Sequence, residues 1–398
     1  MTHYAPPPNH VLGDLSVETF LREYWQKQPV LIRGAFPDFE NPIAPEELAG
    51  LACEEDAPSR LVLEHGEERD WQLKMGPFTE DDFRALPKDG YSLLVTDCEK
   101  LIPELLVFVE RFRFIPDWRI DDLMISYAPP GGSVGAHIDE YDVFLLQTHG
   151  RRRWQIENPP VHSAYREGLD VRILTDFTPS DEWVLEPGDM LYLPAGIPHH
   201  GVALDGCMTW SFGFRAPTQA DLASGVCDRL ASLAAESRYR DPDLAAADNP
   251  GELVPATRKR LRDWVREAMA TNDAQLDRLI AETLTERPID HASFYPHYHE
   301  EEIPGILDQL PALPELQRTP ASRWLLLEPQ DDDPGHLCID GHSHPLDAES
   351  LPLARLLTRQ IHVTGEALAE QAGNASARTL LKQILTAGQL LIPENEQD

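Results

Sequence analysis

The chain has 398 residues, 42% of them hydrophobic, and a formal net charge of −34 from 68 acidic and 34 basic side chains. That length exceeds one ordinary core and predicts two or three domains. The acidity excludes a bare nucleic-acid binder, whose affinity rests on cationic contacts to phosphate; it suits either a basic partner held by salt-sensitive attraction or general solubility in a salty habitat.

The start, "MTHYAPPPNH", has neither a charged n-region nor an apolar core, so no secretory leader is expected. No run approaches the roughly 18 apolar residues of a membrane-spanning helix. Five scattered cysteines (Cys53, Cys98, Cys207, Cys227 and Cys338) are never spaced as C-x-x-C. They point to reduced thiols in a cytoplasm rather than to a disulfide framework or a zinc ribbon.

"SVETFLREYWQKQPVLIRGAF" reads as a helix capped by Ser16 and then a short strand, Pro29 to Arg33. From about Trp118 the texture changes. "IDDLMISYA", "DVFLLQTHG", "RRRWQIE", "DEWVLEPGDMLYLP" and "MTWSFGFRAP" are short apolar or alternating runs. Turn signals such as "PPGG", "PGD", "PAGIPHHG" and "LDG" separate them. Short strands at roughly even spacing predict a jelly roll or barrel.

After "RAPT" the pattern is helical. "TQADLASGVCDRLASLAAE" pairs Thr218 with Asp221 in a capping box and lines up Leu222, Val226, Leu230 and Leu233. That stripe has no obvious cover, so residues 219–310 are expected to pair two copies of the chain. "PATRKRLRDWVREAMATNDAQLDRLIAETLTE" gives one or two more helices, and a proline- and acid-rich stretch follows near "HYHEEEIPGILDQLPALPE". "SRWLLLE", "HLCIDGHSHPL" and "ARTLLKQILTAGQLL" suggest a small helix-plus-hairpin domain resembling a winged helix. The expected division is 1–217, 218–310 and 311–398, an α+β multidomain chain built on a double-stranded β-helix.

The chemistry starts at "AHIDEYDVF", where His137 and Asp139 stand two apart and so share a strand face. Alone, such a pair is more often structural. A second segment, "EPGDMLYLPAGIPHHG", brings His199 and His200, which a jelly roll can set opposite the first pair. Two histidines and a carboxylate with open positions are the ligand set of non-haem Fe(II) oxygenases, and no thiolate suggests a structural zinc. Neighbours on a strand point opposite ways, so only one of His199 and His200 can face the metal. In "HGRRRWQIE", Arg152 shares a face with Trp154 and Ile156, whereas Arg151 and Arg153 share the other. An arginine facing into a barrel needs an anion. A dicarboxylate such as 2-oxoglutarate supplies one, and the charges of Fe(II), Asp139, 2-oxoglutarate and Arg152 then cancel. The plainer reading of the triple arginine is a solvated basic patch.

Together, "FLREYWQKQPVLIRG", "PDWRIDDLMIS", "PGGSVGAHIDEYDVFLLQTHGRRRW", "EPGDMLYLPAGIPHHG" and "WSFGFRAP" resemble the bacterial Jumonji C ribosomal oxygenases over about residues 12–217. The resemblance is weaker beyond. It implies a cupin-like catalytic domain, a helical dimerisation region and a C-terminal winged helix. The implied activity is Fe(II)- and 2-oxoglutarate-dependent hydroxylation, with O2, of an arginine at its 3-position in large-subunit ribosomal protein 16. By motif, His137, Asp139 and His199 match the family's iron ligands, His199 being favoured over His200 because it follows the Gly-x-Pro turn. Arg152 matches the partner of the far carboxylate of 2-oxoglutarate. Ser126 and Thr209 fall where further cosubstrate contacts lie, and Asp122, Met124, Tyr141 and Ser211 fall where the substrate arginine lies.

Other groupings weigh less. His297 and His299 with Glu300 to Glu302, and Cys338 with His342 and His344, read as polar loops. Cys207 reads as core packing. Two rival functions remain from sequence: a metal-occupied sensor with a winged-helix reader, against which the acidity speaks, and a small-molecule dioxygenase or cupin isomerase on the same fold.

Overall fold

The computed structural model describes residues 11–392 apart from 38, 65–69, 162–163, 235–237, 244–248, 287–293 and 331–332. The chain divides into two compact units, Met1–Ala216 and Pro217–Asp398.

In the first unit, α1 (Val17–Glu23) starts where the Ser16 hydroxyl accepts the Thr19 N–H at 3.1 Å. β1 (Val30–Ile32) follows inside the expected strand. A stretch that gave little signal then supplies α2 (Pro45–Leu51), β2 (Ser59–Glu64), β3 (Trp71–Met75), α3 (Glu80–Arg84), β4 (Tyr91–Val95), α4 (Cys98–Leu101) and α5 (Leu106–Val109). The expected strand series emerges as β5 (Ile120–Ala128), β6 (His137–Ile138), β7 (Asp142–His149), β8 (Arg152–Ile156), β9 (Asp181–Leu185), β10 (Met190–Leu193), β11 (Pro198–Ala203) and β12 (Cys207–Phe214).

Among the described residues, one sheet runs β1-β10-β7-β12-β5-β4-β2-β3 and a smaller one β6-β11-β8-β9. Their inner faces pack together as a jelly roll: Val143, Leu145, Leu191 and Leu193 of the larger sheet meet Trp154, Ile156 and Leu185 of the smaller. The outer face of the larger sheet is also covered. Phe144 and Tyr192 lie against Phe20 of α1, with ring centroids 5.5 and 5.0 Å away, and Phe112 sits 5.8 Å from Phe214. That double burial explains why β7 is almost continuously apolar instead of alternating. A buried polar clamp holds the start of β7: Asp142 accepts from Tyr192 Oη at 2.6 Å, Gln26 Nε2 at 3.0 Å and Arg119 Nη2 at 3.2 Å.

The second unit opens with α6 (Gln219–Leu233), capped as expected by Thr218 and Asp221, then α7 (Pro255–Ala268) and α8 (Asp273–Thr285). One expectation fails here. The α6 stripe is not uncovered, because Val226 and Leu230 pack on Leu279 of α8. α7 buries no residue and exposes Val265 and Trp264, although the Trp264 ring lies 6.0 Å from that of Tyr239.

The proline- and acid-rich stretch contains α9 (Ile303–Gln309), where Pro304 occupies the first turn and its missing N–H costs nothing. Next come β13 (Leu316–Arg318), β14 (Trp324–Leu327), β15 (His336–Ile339), β16 (His342–Pro345), α10 (Leu351–Arg359), β17 (His362–Val363), α11 (Gly365–Gln371), α12 (Ala375–Thr386) and β18 (Leu390–Leu391). These strands form two small sheets, β17-β13-β18 and β14-β15-β16. Their shared core includes Trp324, Leu337, Leu353 and Leu381 and begins at Ile303, a little before residue 311. No helix among the described residues is long and apolar enough to cross a membrane.

Phe20 is fully buried and ties α1 to the outer face of the larger sheet. Phe20→Ala is expected to destabilise the first unit by about 3–5 kcal/mol; urea unfolding followed by tryptophan fluorescence measures it.

Candidate active site

Successive residues of a strand face opposite ways, and the inner parity of the jelly roll collects the candidates. From β5 come Asp122, Met124 and Ser126; from β12, Thr209 and Ser211; from β8, Arg152; from β11, His199. The register agrees across strands. Thr209 pairs with Ser126 and Ser211 with Met124, while His199 pairs with His137 on one side and Ile156 on the other.

His137, Asp139 and His199 converge. One ligand atom from each lies within 4.8 Å of the others, the one such metal grouping among the described residues. The Asp139 carboxylate approaches His137 Nε2 at 3.8 Å and His199 Nε2 at 3.5 Å. Each imidazole is oriented through its other nitrogen: His137 Nδ1 donates to Gly135 O and His199 Nδ1 to Ile197 O, both at 2.9 Å. Both Nε2 atoms are thereby left as acceptors aimed at one point. Burial, reinforced by His137 and opposed by Asp139, pushes His199 down to about 4. It is therefore neutral near pH 7, the form that ligates metal. His200 points the other way, with Nε2 3.1 Å from Ser133 Oγ and its ring against Phe177. The backbone approach at Gly201 is equally specific, since a Cβ there would stand 2.7 Å from the Trp154 ring. That ring lies beside His199 and beneath Arg152.

Arg152 is 5% exposed. Its Nη1 donates to Thr209 Oγ1 at 3.3 Å, and Thr209 Oγ1 donates to Gln147 Oε1 at 3.1 Å. Arg152 Nε has no hydrogen-bond partner, and no carboxylate among the described residues pairs with Arg152. Strand parity separates the three arginines as expected. Arg151 is exposed and bound to Asp205 at 2.9 Å, and Arg153 is half-buried. A buried cation left short of an acceptor fits an anionic cosubstrate, and two neutral imidazole nitrogens with one carboxylate oxygen fit a divalent ion. The Ser126 hydroxyl is spent on Thr209 O at 3.2 Å, so Ser126 braces the β5–β12 pairing beside Arg152.

Asp122 lies on β5, not in a surface turn, and is half-buried. Burial, then Glu99 and Asp121, push its carboxyl up to about 7 against the pull of Lys100. Met124 Sδ receives Arg60 Nη2 at 3.4 Å. Tyr141 lies under the Arg215 guanidinium, 5.9 Å from the ring centre, and burial with Asp139 and Asp122 alongside raises its phenol. Asp122 and Tyr141 meet over Gly213, where an added Cβ would stand 2.7 Å from Asp122 Oδ1 and 3.8 Å from Tyr141 Cε2.

The other groupings are not metal sites among the described residues. His299 N–H donates to Glu302 in the turn before α9. Cys338, His342 and His344 lie on the β15–β16 hairpin rather than in a loop, with Cys338 buried and His342 exposed. Cys207 is packed among Ala128 and Ala203. Sequence reasoning missed Gln147, although a glutamine at an inward position of "DVFLLQTHG" was a usable signal. The burial of Glu99 and Lys100 near β5 also had no local signal.

A JmjC domain model matches residues 107–222. The Escherichia coli (strain K12) ribosomal protein uL16 3-hydroxylase is 33% identical over 372 residues, covering 93% of this chain and 95% of its own. A probable ribosomal oxygenase of Haemophilus influenzae is 41% identical over 240 residues, 60% of this chain and 56% of its own. The X-ray structure of E. coli YcfD superposes with a TM-score of 0.76 at 32% identity over 95% of this chain and 98% of that one. YcfD, a ribosomal oxygenase, in complex with cobalt and 2-oxoglutarate gives 0.73 at 32% identity over 95% and 98%. Because the likeness to the E. coli hydroxylase runs through both units and not the jelly roll alone, this chain belongs to the bacterial JmjC-domain ribosomal oxygenases.

Proposed function

We propose that this protein is a 2-oxoglutarate-dependent dioxygenase that hydroxylates an arginine side chain at the β-carbon, the 3-position, in large-subunit ribosomal protein 16. The observation that carries the reading is the buried Arg152, short of an acceptor on the same inner face as the His137–Asp139–His199 grouping. In this reading those three residues hold Fe(II). Iron held there would supply the oxidising chemistry in which 2-oxoglutarate gives succinate and CO2 while one atom of O2 enters succinate and the other enters an unactivated C–H bond.

The chain's own side chains bind and orient. Arg152, with Thr209 beside it, takes the far carboxylate of 2-oxoglutarate, where a guanidinium fork matches two oxygens at once. Ser126 holds that wall in place. Asp122 accepts from the substrate guanidinium while Met124, Tyr141 and Ser211 line its stem, presenting the β-carbon to the metal side of the pocket. The chain's net charge of −34 draws in a basic ribosomal protein, and the reading sets this work in the cytoplasm. No direct nucleic-acid or membrane contact is part of this reading.

We read residues 218–310 as the dimerisation region and 311–398 as winged-helix-like. The support for a homodimer is α7, whose Trp264 and Val265 remain exposed. Light scattering at micromolar concentration is expected to give about twice the chain mass of 44.8 kDa; the mass of a single chain refutes the dimer.

The substrate reading is tested by incubating the enzyme with Fe(II), 2-oxoglutarate, isotopically labelled O2 and the ribosomal protein as a free chain. Mass spectrometry is expected to find one labelled oxygen on one arginine; an unmodified ribosomal protein beside active 2-oxoglutarate turnover overturns the reading. Within the site, His137→Ala and Asp139→Ala are expected to abolish succinate formation at an unchanged melting temperature, whereas His200→Ala retains most of it. Arg152→Ala is expected to weaken 2-oxoglutarate use by about 2–5 kcal/mol, with Arg151→Ala close to wild type in a titration of initial rate against 2-oxoglutarate.

A further inference from the structure

Between Arg152 and the turn that launches its strand stands a buried amide to which the reading above gives no role. Gln147 is fully buried and lies on β7 directly across from Thr209 of β12. Its Nε2 donates to His149 O at 2.8 Å and to Gly150 O at 3.3 Å, so both amide protons are bound to the turn joining β7 to β8. That turn needs glycine at Gly150, where φ is +60° and a Cβ would collide with Gly206 O. The main chain of Gln147 is held as well: its N–H donates to Asp189 O and its carbonyl accepts from the Gly188 N–H, both at 2.9 Å.

These bonds settle which way the amide faces. Turned over, its oxygen would meet two carbonyl oxygens, so Oε1 is the atom that faces Thr209 Oγ1, at 3.1 Å. The Cys207 thiol lies beside the same amide; a weak donor and a weak acceptor, it favours neither orientation. An amide oxygen only accepts and a hydroxyl has one proton, so Thr209 gives that proton to Gln147. What Thr209 turns toward Arg152 is therefore a lone pair, and Arg152 Nη1 donates into it at 3.3 Å. Ser126 does not compete, because its hydroxyl bonds the main-chain Thr209 O instead. The result is a one-way chain from Arg152 to Thr209 to Gln147 to the turn, with all three side chains buried. Arg152 Nε stays without an acceptor. A Thr209 hydroxyl turned the other way would aim its proton at a guanidinium that has only protons to offer.

We propose that Gln147 is a positioning residue for the cosubstrate end of the site: it binds the β7–β8 turn with both amide protons, thereby makes Thr209 an acceptor toward Arg152, and so holds the guanidinium by Nη1 with Nε left for the far carboxylate of a dicarboxylate. The inference rests on the reading of Arg152 above. It adds that Thr209 serves the guanidinium and not the carboxylate, and that Gln147, which touches no cosubstrate, decides this.

The test is calorimetric titration of the full chain, loaded with zinc in place of iron, with two ligands. 2-Oxoglutarate has a far carboxylate; oxalate chelates a metal and has none. Gln147→Met is expected to weaken 2-oxoglutarate binding about three- to tenfold, the range that one buried hydrogen bond carries, and to leave oxalate binding in place. Thr209→Val does the same, Thr209→Ser binds as wild type does, and Gln147→Met adds little in the Thr209→Val background, because the two residues act in series. With iron, KM for 2-oxoglutarate rises by the same factor while kcat at saturation holds. A merely structural role predicts that both ligands weaken together and that the two losses add. Either of those results, or 2-oxoglutarate bound by Gln147→Met as tightly as by wild type, overturns the proposal. If Gln147→Met does not fold, Gln147→Glu decides: it keeps the shape but sets an anion one hydroxyl away from Arg152, so 2-oxoglutarate is expected to weaken with oxalate unmoved, and unweakened 2-oxoglutarate overturns the proposal. Failure of the underlying reading looks different: Arg152→Ala then binds 2-oxoglutarate as wild type does, and the reading of Arg152 falls together with the role of Gln147.

Discussion

A shift of one residue along a strand turns every side chain to the other face, and the catalytic unit depends on that two-residue period in every strand it uses. β5, β7, β8, β11 and β12 each send one parity inward, where Asp122, Gln147, Arg152, His199 and Thr209 meet. The other parity of the larger sheet goes outward into the aromatic layer of Phe144, Tyr192, Trp210 and Phe214. Neither face can slip. An outward move would place Arg152 in solvent and a neighbour's charge in the core, and an inward move would drive Phe144 or Trp210 into the site. Polar residues can sit at the centre of this domain because two apolar surfaces, one inside and one outside, lock the register.

The second organising element is charge kept from water. Arg152 is buried with no carboxylate among the described residues paired to it, and Asp97, Glu99 and Lys100 are buried together against the backbone of β5. A buried cation left alone costs several kcal/mol and is relieved by an anionic partner.

Much of this was legible in the sequence because it is local. Ser16 and Thr218 announce their helices, the Pro-Gly turns bound the strands, and H-x-D gives two ligands on one face. Parity alone separated Arg152 from its neighbours. What was not legible depends on contacts between distant segments. Strand parity alone does not choose between His199, favoured by its place after the Gly-x-Pro turn, and His200; the register of β11 with β6 pairs His199 with His137. Leu222, Val226 and Leu230 look unsheltered until α8, far along the chain, lies against them. Glu99 and Lys100 stand in a polar tetrapeptide that reads as a wetted turn; only β4 and β5, brought together by long-range pairing, bury them.

His137 and His199 share one local device, an imidazole whose Nδ1 is held by the carbonyl two residues earlier on its own chain. Their Nε2 atoms are thus aimed together with no ion needed to orient them. Such a rigid, ready-made nest of two nitrogens and a carboxylate welcomes every first-row divalent ion of similar size. Its intrinsic preferences follow the general stability order, in which copper and nickel outrank iron. Strength of binding alone would therefore not single out iron at such a site; geometry, ligand type and the supply of metal would have to do so.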